Sequence, residues 1–233
     1  MKAEKLLSIS PLDGRYSESV VDLRGVTSEF GLIKFRVIVE IKWFIHLSRL
    51  SNIRELPKLT IKEISYLNDL IDNFSVKDAQ KVKNIEKRTN HDVKAVEYFL
   101  RDEFKKFGKL GRYSEFIHFA CTSEDINNLS YALMINEATK ITRSSISLIE
   151  KKIKGFSKRY AAHSMLSRTH GQNASPTTMG KEFANFLHRI NKLSTEINRI
   201  KMTGKMNGAV GNYNAHHIAY PNINWEKVSK EFV

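Results

Sequence analysis

Residues 123–163 contain no proline and a single glycine, Gly155. Along them Ile126, Leu129, Leu133, Ile141, Leu148, Ile153 and Tyr160 recur at approximately helical spacing. This pattern predicts one uninterrupted helix of roughly 60 Å, about twice the width of a small domain. A second long pattern runs through Met179, Phe183, Phe186, Ile190, Leu193, Ile197 and Ile200. Two such rods cannot bury their apolar stripes against each other and stay a compact monomer. They need further helices, from this chain or from other copies of it. A simple coiled-coil hairpin is disfavoured, because the heptad register slips and the faces lack flanking charge pairs.

The rest of the chain also reads as helical. Phe30, Ile33, Val37, Ile41, Phe44 and Leu47 mark a helix from Ser28 to about Leu50, with enough apolar residues between them to be buried on much of its surface. Asn52 and Pro57 end it. Thr60-Ile-Lys-Glu63 is a capping-box pattern, and Ser75-Val-Lys-Asp78 is another helix start. Val93, Val96, Leu100 and Phe104 share one face of the helix that follows. Gly108 and Gly111 then punctuate the chain, which places a domain boundary near residue 110. Gly204, Gly208 and Gly211 form a later break, and a final helix starts near Asn224. The expectation is an all-α chain, with a small helical domain over 1–110 and the start of a long-helix bundle over 111–233.

Of 233 residues, 41% are hydrophobic, enough for a substantial core. A single cysteine, Cys121, excludes an internal disulfide and fits a reducing, cytoplasmic setting. Leu6-Leu7 is soon followed by Ser10-Pro11, leaving an apolar stretch too short for a leader or a membrane span. The net charge of +13 raises the alternative of a basic scaffold or nucleic-acid binder. Acidic residues are interspersed throughout, however, and no zinc-finger or RNP-like pattern is present. No metal is expected, since the acids and histidines show no ligand spacing.

Four polar clusters interrupt this helical background: Asp13-Gly-Arg-Tyr16, Thr89-Asn-His-Asp92, Cys121-Thr-Ser-Glu-Asp125 and Ser167-Arg-Thr-His-Gly-Gln172. His170 lies in a polar loop between the two rods, with Gly171 permitting a turn and Pro176 opening the next helix. It is available for proton transfer near neutral pH, or simply solvated. Arg15 suits phosphate or carboxylate, or pairs with a neighbouring acid. Asn90 is placed to cap the helix beginning at His91 or Asp92, and the same helix end favours an anion. Thr122 and Ser123 open the longest rod under the same logic. Cys121 and His118 read as packed structural residues, and the adjacent His216 and His217 need not form a pair.

These clusters, with His91-Asp-Val-Lys-Ala-Val-Glu-Tyr-Phe-Leu100 and Phe116-Ile-His-Phe-Ala-Cys-Thr-Ser-Glu-Asp125, resemble the bacterial-type adenylosuccinate lyases of the aspartase/fumarase superfamily. The resemblance runs from Ile9 to the last residue. It implies an aspartase/fumarase-like fold, a cytoplasmic homotetramer and no cofactor. The implied reaction is β-elimination of fumarate from adenylosuccinate and from succinylaminoimidazole-carboxamide ribotide. It carries the general acid onto His170 and assistance at the phosphate onto His91. Substrate contacts fall on Arg15, Tyr16, Asn90, Asp92, Thr122 and Ser123. Asn173 stands where the family has proline. The family's base, a serine in a mobile loop, has no matching segment here, so the chain looks like roughly the N-terminal half of such an enzyme, with little activity alone. Argininosuccinate lyase is the nearest sibling, disfavoured because residues 13–16 and 90–97 match the purine enzyme.

Overall fold

A computed structural model describes residues 7–233; Leu6, read above as part of the N-terminal sequence, lies outside the described residues. Helices dominate: α1 (Val21–Thr27), α2 (Glu29–Leu47), α3 (Ile61–Asp72), α4 (Val76–Thr89), α5 (Asp92–Phe104), α6 (Ser123–Arg159), α7 (Met179–Arg199), α8 (Asn214–Ala219) and α9 (Trp225–Phe232). A 3-10 helix covers Leu110–Phe116, and two short strands, β1 (Ser164–Thr169) and β2 (Gln172–Thr178), pair antiparallel. Residues group into two compact units, one up to Glu137 together with Thr203–Val233, the other Ala138–Met202.

The helix starts follow their capping chemistry. The Ser28 side chain accepts from the Gly31 N–H, which starts α2. Thr60 and Glu63 satisfy each other's backbone donors at the head of α3, and Ser75 with Asp78 does the same for α4. In the first unit α2 is buried along most of its length, with Ile33, Val37, Ile41, Trp43, Phe44 and Leu47 inside. Phe44 meets the Phe104 ring of α5 edge-on at 4.9 Å, and Trp43 meets Phe232 of α9 at 5.0 Å. The glycine-marked break is present, and residues 203–213 carry no helix before α8, which the spacing did not foresee. Met206, Trp225 and Val228 nevertheless join the same core.

The second unit differs from expectation at one point. The segment between the rods is a β-hairpin, and Pro176 lies within β2 instead of opening a helix; Thr178 caps α7 by accepting from the Lys181 N–H. His170 (φ 52°) and Gly171 (φ 76°) are the two central residues of the hairpin turn, since Thr169 pairs with Gln172. Two successive positive φ angles are those of a type I′ turn, whose twist matches the paired strands. The register shifts between Leu166 and Arg168. At the hairpin's base the Met179 N–H donates to the His163 carbonyl and the Gly180 N–H to the Tyr160 carbonyl, both at 2.9 Å. Phe183 rests on Phe156 at 5.3 Å between ring centres.

Part of the rods' apolar stripe stays exposed. Gly180 is the one buried residue of α7, while Phe186, Leu193 and Ile200 are more than half exposed, as are Leu148 and Ile149 of α6. Among the described residues no helix is long and apolar enough to cross a membrane.

Gly180 is required by packing. A Cβ there would sit 2.5 Å from both the Ala161 Cα and the Ser157 carbonyl oxygen. Gly180→Ala is therefore expected to destabilise the second unit by about 1–3 kcal/mol through overpacking. Faster amide exchange in β1 and β2 and a lower Tm would register it; unchanged exchange would show that the rods separate freely.

Candidate active site

Three of the polar clusters fall in the first unit. Arg15 and Tyr16 lie in a run of turns ahead of α1, exposed, with the guanidinium 5.6 Å from the centre of the Tyr16 ring. Asn90 has a different role from the expected one. It ends α4 in the left-handed conformation (φ 50°), its N–H donating to the Glu86 carbonyl. Asparagine tolerates this region better than most residues, which is why it suits a helix C-terminus as well as an N-terminus. The N-cap of α5 is His91, whose Nδ1 accepts from the Lys94 N–H at 3.2 Å. Asp92 is the first residue of α5, and its Oδ1 takes the Val93 N–H at 2.9 Å.

Thr122 and Ser123 stand at the start of α6. The Thr122 N–H donates to Asp125 Oδ2 at 2.9 Å, the back-reaching half of a capping box. Asp125 is fully buried and also accepts from the Asn207 N–H, the Gly208 N–H and Lys205 Nζ, at 3.0, 3.0 and 2.7 Å. Lys205 Nζ is completed by Asn207 Oδ1 and the Gly208 carbonyl. A carboxylate without water is tolerable only with donors on all sides, and these supply them.

Arg36 of α2 links the two helix starts. Its Nη2 is 2.6 Å from Asp92 Oδ2, and its Nε donates to Asn127 Oδ1 of α6 at 2.9 Å. Burial works to raise the Asp92 pKa, but the Arg36 charge and the Val93 N–H outweigh it and hold the carboxyl below the usual range. One turn on, Glu40 is buried against His118: Nδ1 lies 2.6 Å from Glu40 Oε1, and the His118 N–H donates to Oε2 at 3.0 Å. The far ring nitrogen is 3.8 Å from Glu97, which Lys94 pairs at 2.7 Å. His118 (φ 59°) and Ala120 (φ 59°) are both left-handed, and the Trp43 indole N–H donates to the Phe119 carbonyl between them. The strained turn before Thr122 is thus gripped from α2. Cys121 packs inside it, its thiol pKa raised by burial, which disfavours the nucleophilic thiolate.

His170 belongs to the second unit, exposed at the hairpin tip. Of the sequence-derived residues, Arg36 bonds Asp92, and its other acceptor is Asn127, one turn beyond Ser123. Arg36, Glu40, Glu97, Asp125 and Lys205 were missed. Two signals were available: charges at positions 36 and 40 beside the apolar stripe of Ile33, Val37, Ile41 and Phe44, and the Thr122-Ser-Glu-Asp125 spacing.

Two histidines, His118 partly buried and His216 buried, give opposing pH dependences. His118 loses affinity for its proton by burial but regains more from Glu40, so its pKa is raised above 6.5. From pH 6.5 upward the folded state holds a proton that the unfolded chain has released, and stability falls as pH passes the raised value. His216, fully buried with neither ring nitrogen paired, is pushed down to about 4 by burial. It favours folding above 6.5, an advantage lost as pH falls towards 4. His118→Asn should lower Tm at pH 7 and flatten the alkaline slope; His216→Phe should leave Tm near wild type at pH 7 and flatten the acid slope. Thermal melts from pH 4 to 9 test both, and unaltered slopes would assign the protons elsewhere.

A family model described as "Lyase" matches residues 14–232. The adenylosuccinate lyases of Haemophilus influenzae and Escherichia coli strain K12 are each 48% identical, and that of Buchnera aphidicola subsp. Schizaphis graminum 49%; each alignment takes in all of this chain and 51% of the relative. The chain spans about half the length of these curated relatives. Among solved structures, a fumarate lyase from Mesorhizobium sp. BNC1 superposes with TM-score 0.72 at 17% identity, over 91% of this chain and 47% of its own. The 3-carboxy-cis,cis-muconate lactonizing enzyme of Pseudomonas putida gives 0.68 at 12% identity, over 91% and 46%. These distant likenesses show a shared fold. With the family match over nearly all of its length, the chain belongs to the lyase family.

Proposed function

We propose that the chain serves an adenylosuccinate lyase, releasing fumarate from adenylosuccinate and from succinylaminoimidazole-carboxamide ribotide. The observation that carries this reading is identity near one half, over the entire chain, with adenylosuccinate lyases. In the elimination a base takes the proton from the carbon beside a carboxylate. The carbon–carbon double bond forms as the C–N bond breaks, and its electron pair leaves with the nitrogen, which an acid protonates.

His170 takes the role of that acid. Its place at a hairpin tip presents the imidazole to solvent and therefore to a ligand. Arg15 and Tyr16 contact the nucleotide, and the guanidinium supplies paired donors for an anion. Asn90, His91, Asp92, Thr122 and Ser123 complete the substrate contacts, with His91 nearest the phosphate in this assignment. The base is assigned to no residue of this chain. The same reading takes residues 1–110 as an N-terminal domain and 111–233 as the first part of a central bundle. It covers the exposed stripes of α6 and α7 with helices of other copies in a cytoplasmic homotetramer.

In the full-length protein, His170→Ala should lower turnover of adenylosuccinate by about a hundredfold to ten-thousandfold, leaving helix content unchanged. Fumarate release at the wild-type rate would remove His170 from the mechanism. Arg15→Ala should instead raise KM for adenylosuccinate, on the order of tenfold or more for a lost charge-assisted contact. Unchanged KM would return Arg15 to the ordinary surface. Release of fumarate from argininosuccinate and not from adenylosuccinate would move the chain to the sibling enzyme.

A further inference from the structure

We infer that Arg36 is a positioning residue of this site: its guanidinium sets the spacing between the His91–Asp92 and Thr122–Ser123 segments. The inference rests on the proposed reading of those segments as substrate contacts. Arg36 touches no part of a substrate in this account and acts through the two helix starts.

Its surroundings argue for a role beyond stability. Arg36 is 5% exposed, on a helix whose buried positions are otherwise mainly apolar. Burying a guanidinium carries a desolvation cost that its ion pair only partly offsets, so such a pair is weak evidence of a purely stabilising role. What the guanidinium adds is direction. Its N–H bonds leave one rigid plane at fixed angles, so an acceptor on Nε and another on Nη2 are held at a set separation. The acceptors come from the two helix starts in question, Asn127 of α6 and Asp92 of α5.

Each acceptor is coupled stiffly to the residues it would position. Asn127 lies about one turn beyond Ser123 in a continuous helix, and Asp125 holds the preceding Thr122 N–H. Asp92 directly follows His91, and its second oxygen is fixed by Val93. The Asp92 side chain is 49% exposed while that of Arg36 is 6% exposed, so the pair reaches from the core to an accessible surface. A lysine here would offer a single ammonium on a flexible stem, able to neutralise Asp92 without fixing the geometry to Asn127.

The test uses the full-length protein with Arg36→Met and Arg36→Lys. Displacement of binding groups by about 1 Å can cost on the order of a hundredfold. For Arg36→Met we expect KM for adenylosuccinate to rise tenfold to a hundredfold on that scale, with a smaller fall in kcat. Arg36→Lys should recover most of the wild-type Tm without recovering KM. Deuterium uptake without substrate, in peptides covering residues 88–95 and 119–127, should rise together in both variants. A purely structural arginine would behave differently: Tm would fall, KM of the folded enzyme would hold, and lysine would restore everything. That pattern, or unchanged uptake in both peptides, overturns the inference. Should Arg36→Met fail to fold, the lysine variant decides by the same two readouts. If the wild-type protein released no fumarate, the functional reading would fall, and the uptake comparison would still decide whether Arg36 holds the two segments together.

Discussion

The first unit is closed by one carboxylate. Asp125 has no exposed surface, yet it gathers the Thr122 N–H, two amides of the 207–208 turn and the Lys205 ammonium. These groups lie about eighty positions apart in sequence, on either side of the whole second unit. Water cannot replace any of them in the core, so the carboxylate and its donors must be found together or not at all. This joins the return of the chain after Thr203 to the start of the longest helix. It also places Met206, Trp225 and Val228 in the same core as α2.

Helix α2 supplies the second constraint. Arg36 and Glu40 are the only charged residues among its buried positions, one turn apart, and each takes partners from far along the chain. A packing that failed to bring these partners together would strand a charge in the interior. The left-handed residues follow the same logic. Of the five non-glycine residues in this seldom-adopted conformation among the described residues, Asn90, His118, Ala120 and His170 lie in or beside the segments read as functional, and Tyr213 does not. Each of the four is held by neighbours that over-determine it: a helix end at Asn90, the Glu40 carboxylate and Trp43 indole around 118–120, a paired hairpin at His170.

What could be read directly was whatever local chemistry dictates. Thr60 with Glu63 and Ser75 with Asp78 determined two helix starts, because a cap needs only its own first turn. Freedom from proline and the spacing of apolar residues determined both rods to within a few residues. The lyase family could likewise be read from the polar clusters. The hairpin around His170 escaped, since Leu166 to Pro176 is polar and irregular and its pairing depends on a register shift that no period reveals. Asn90 was assigned to the wrong helix for a related reason: asparagine caps either end, and only the backbone conformation distinguishes them.

Tertiary structure alone decided which charges meet. Arg36 finds Asp92 and Asn127 across 56 and 91 positions of sequence, and Glu40 finds His118 across 78. Hydrogen bonds of this kind depend on the placement of helices relative to one another, which is set by packing of the whole core. Helix propensity, capping and apolar period act over a single turn or a single face and are written in neighbouring residues. The convergence of two helix starts on one guanidinium exists only after α2, α5 and α6 have packed.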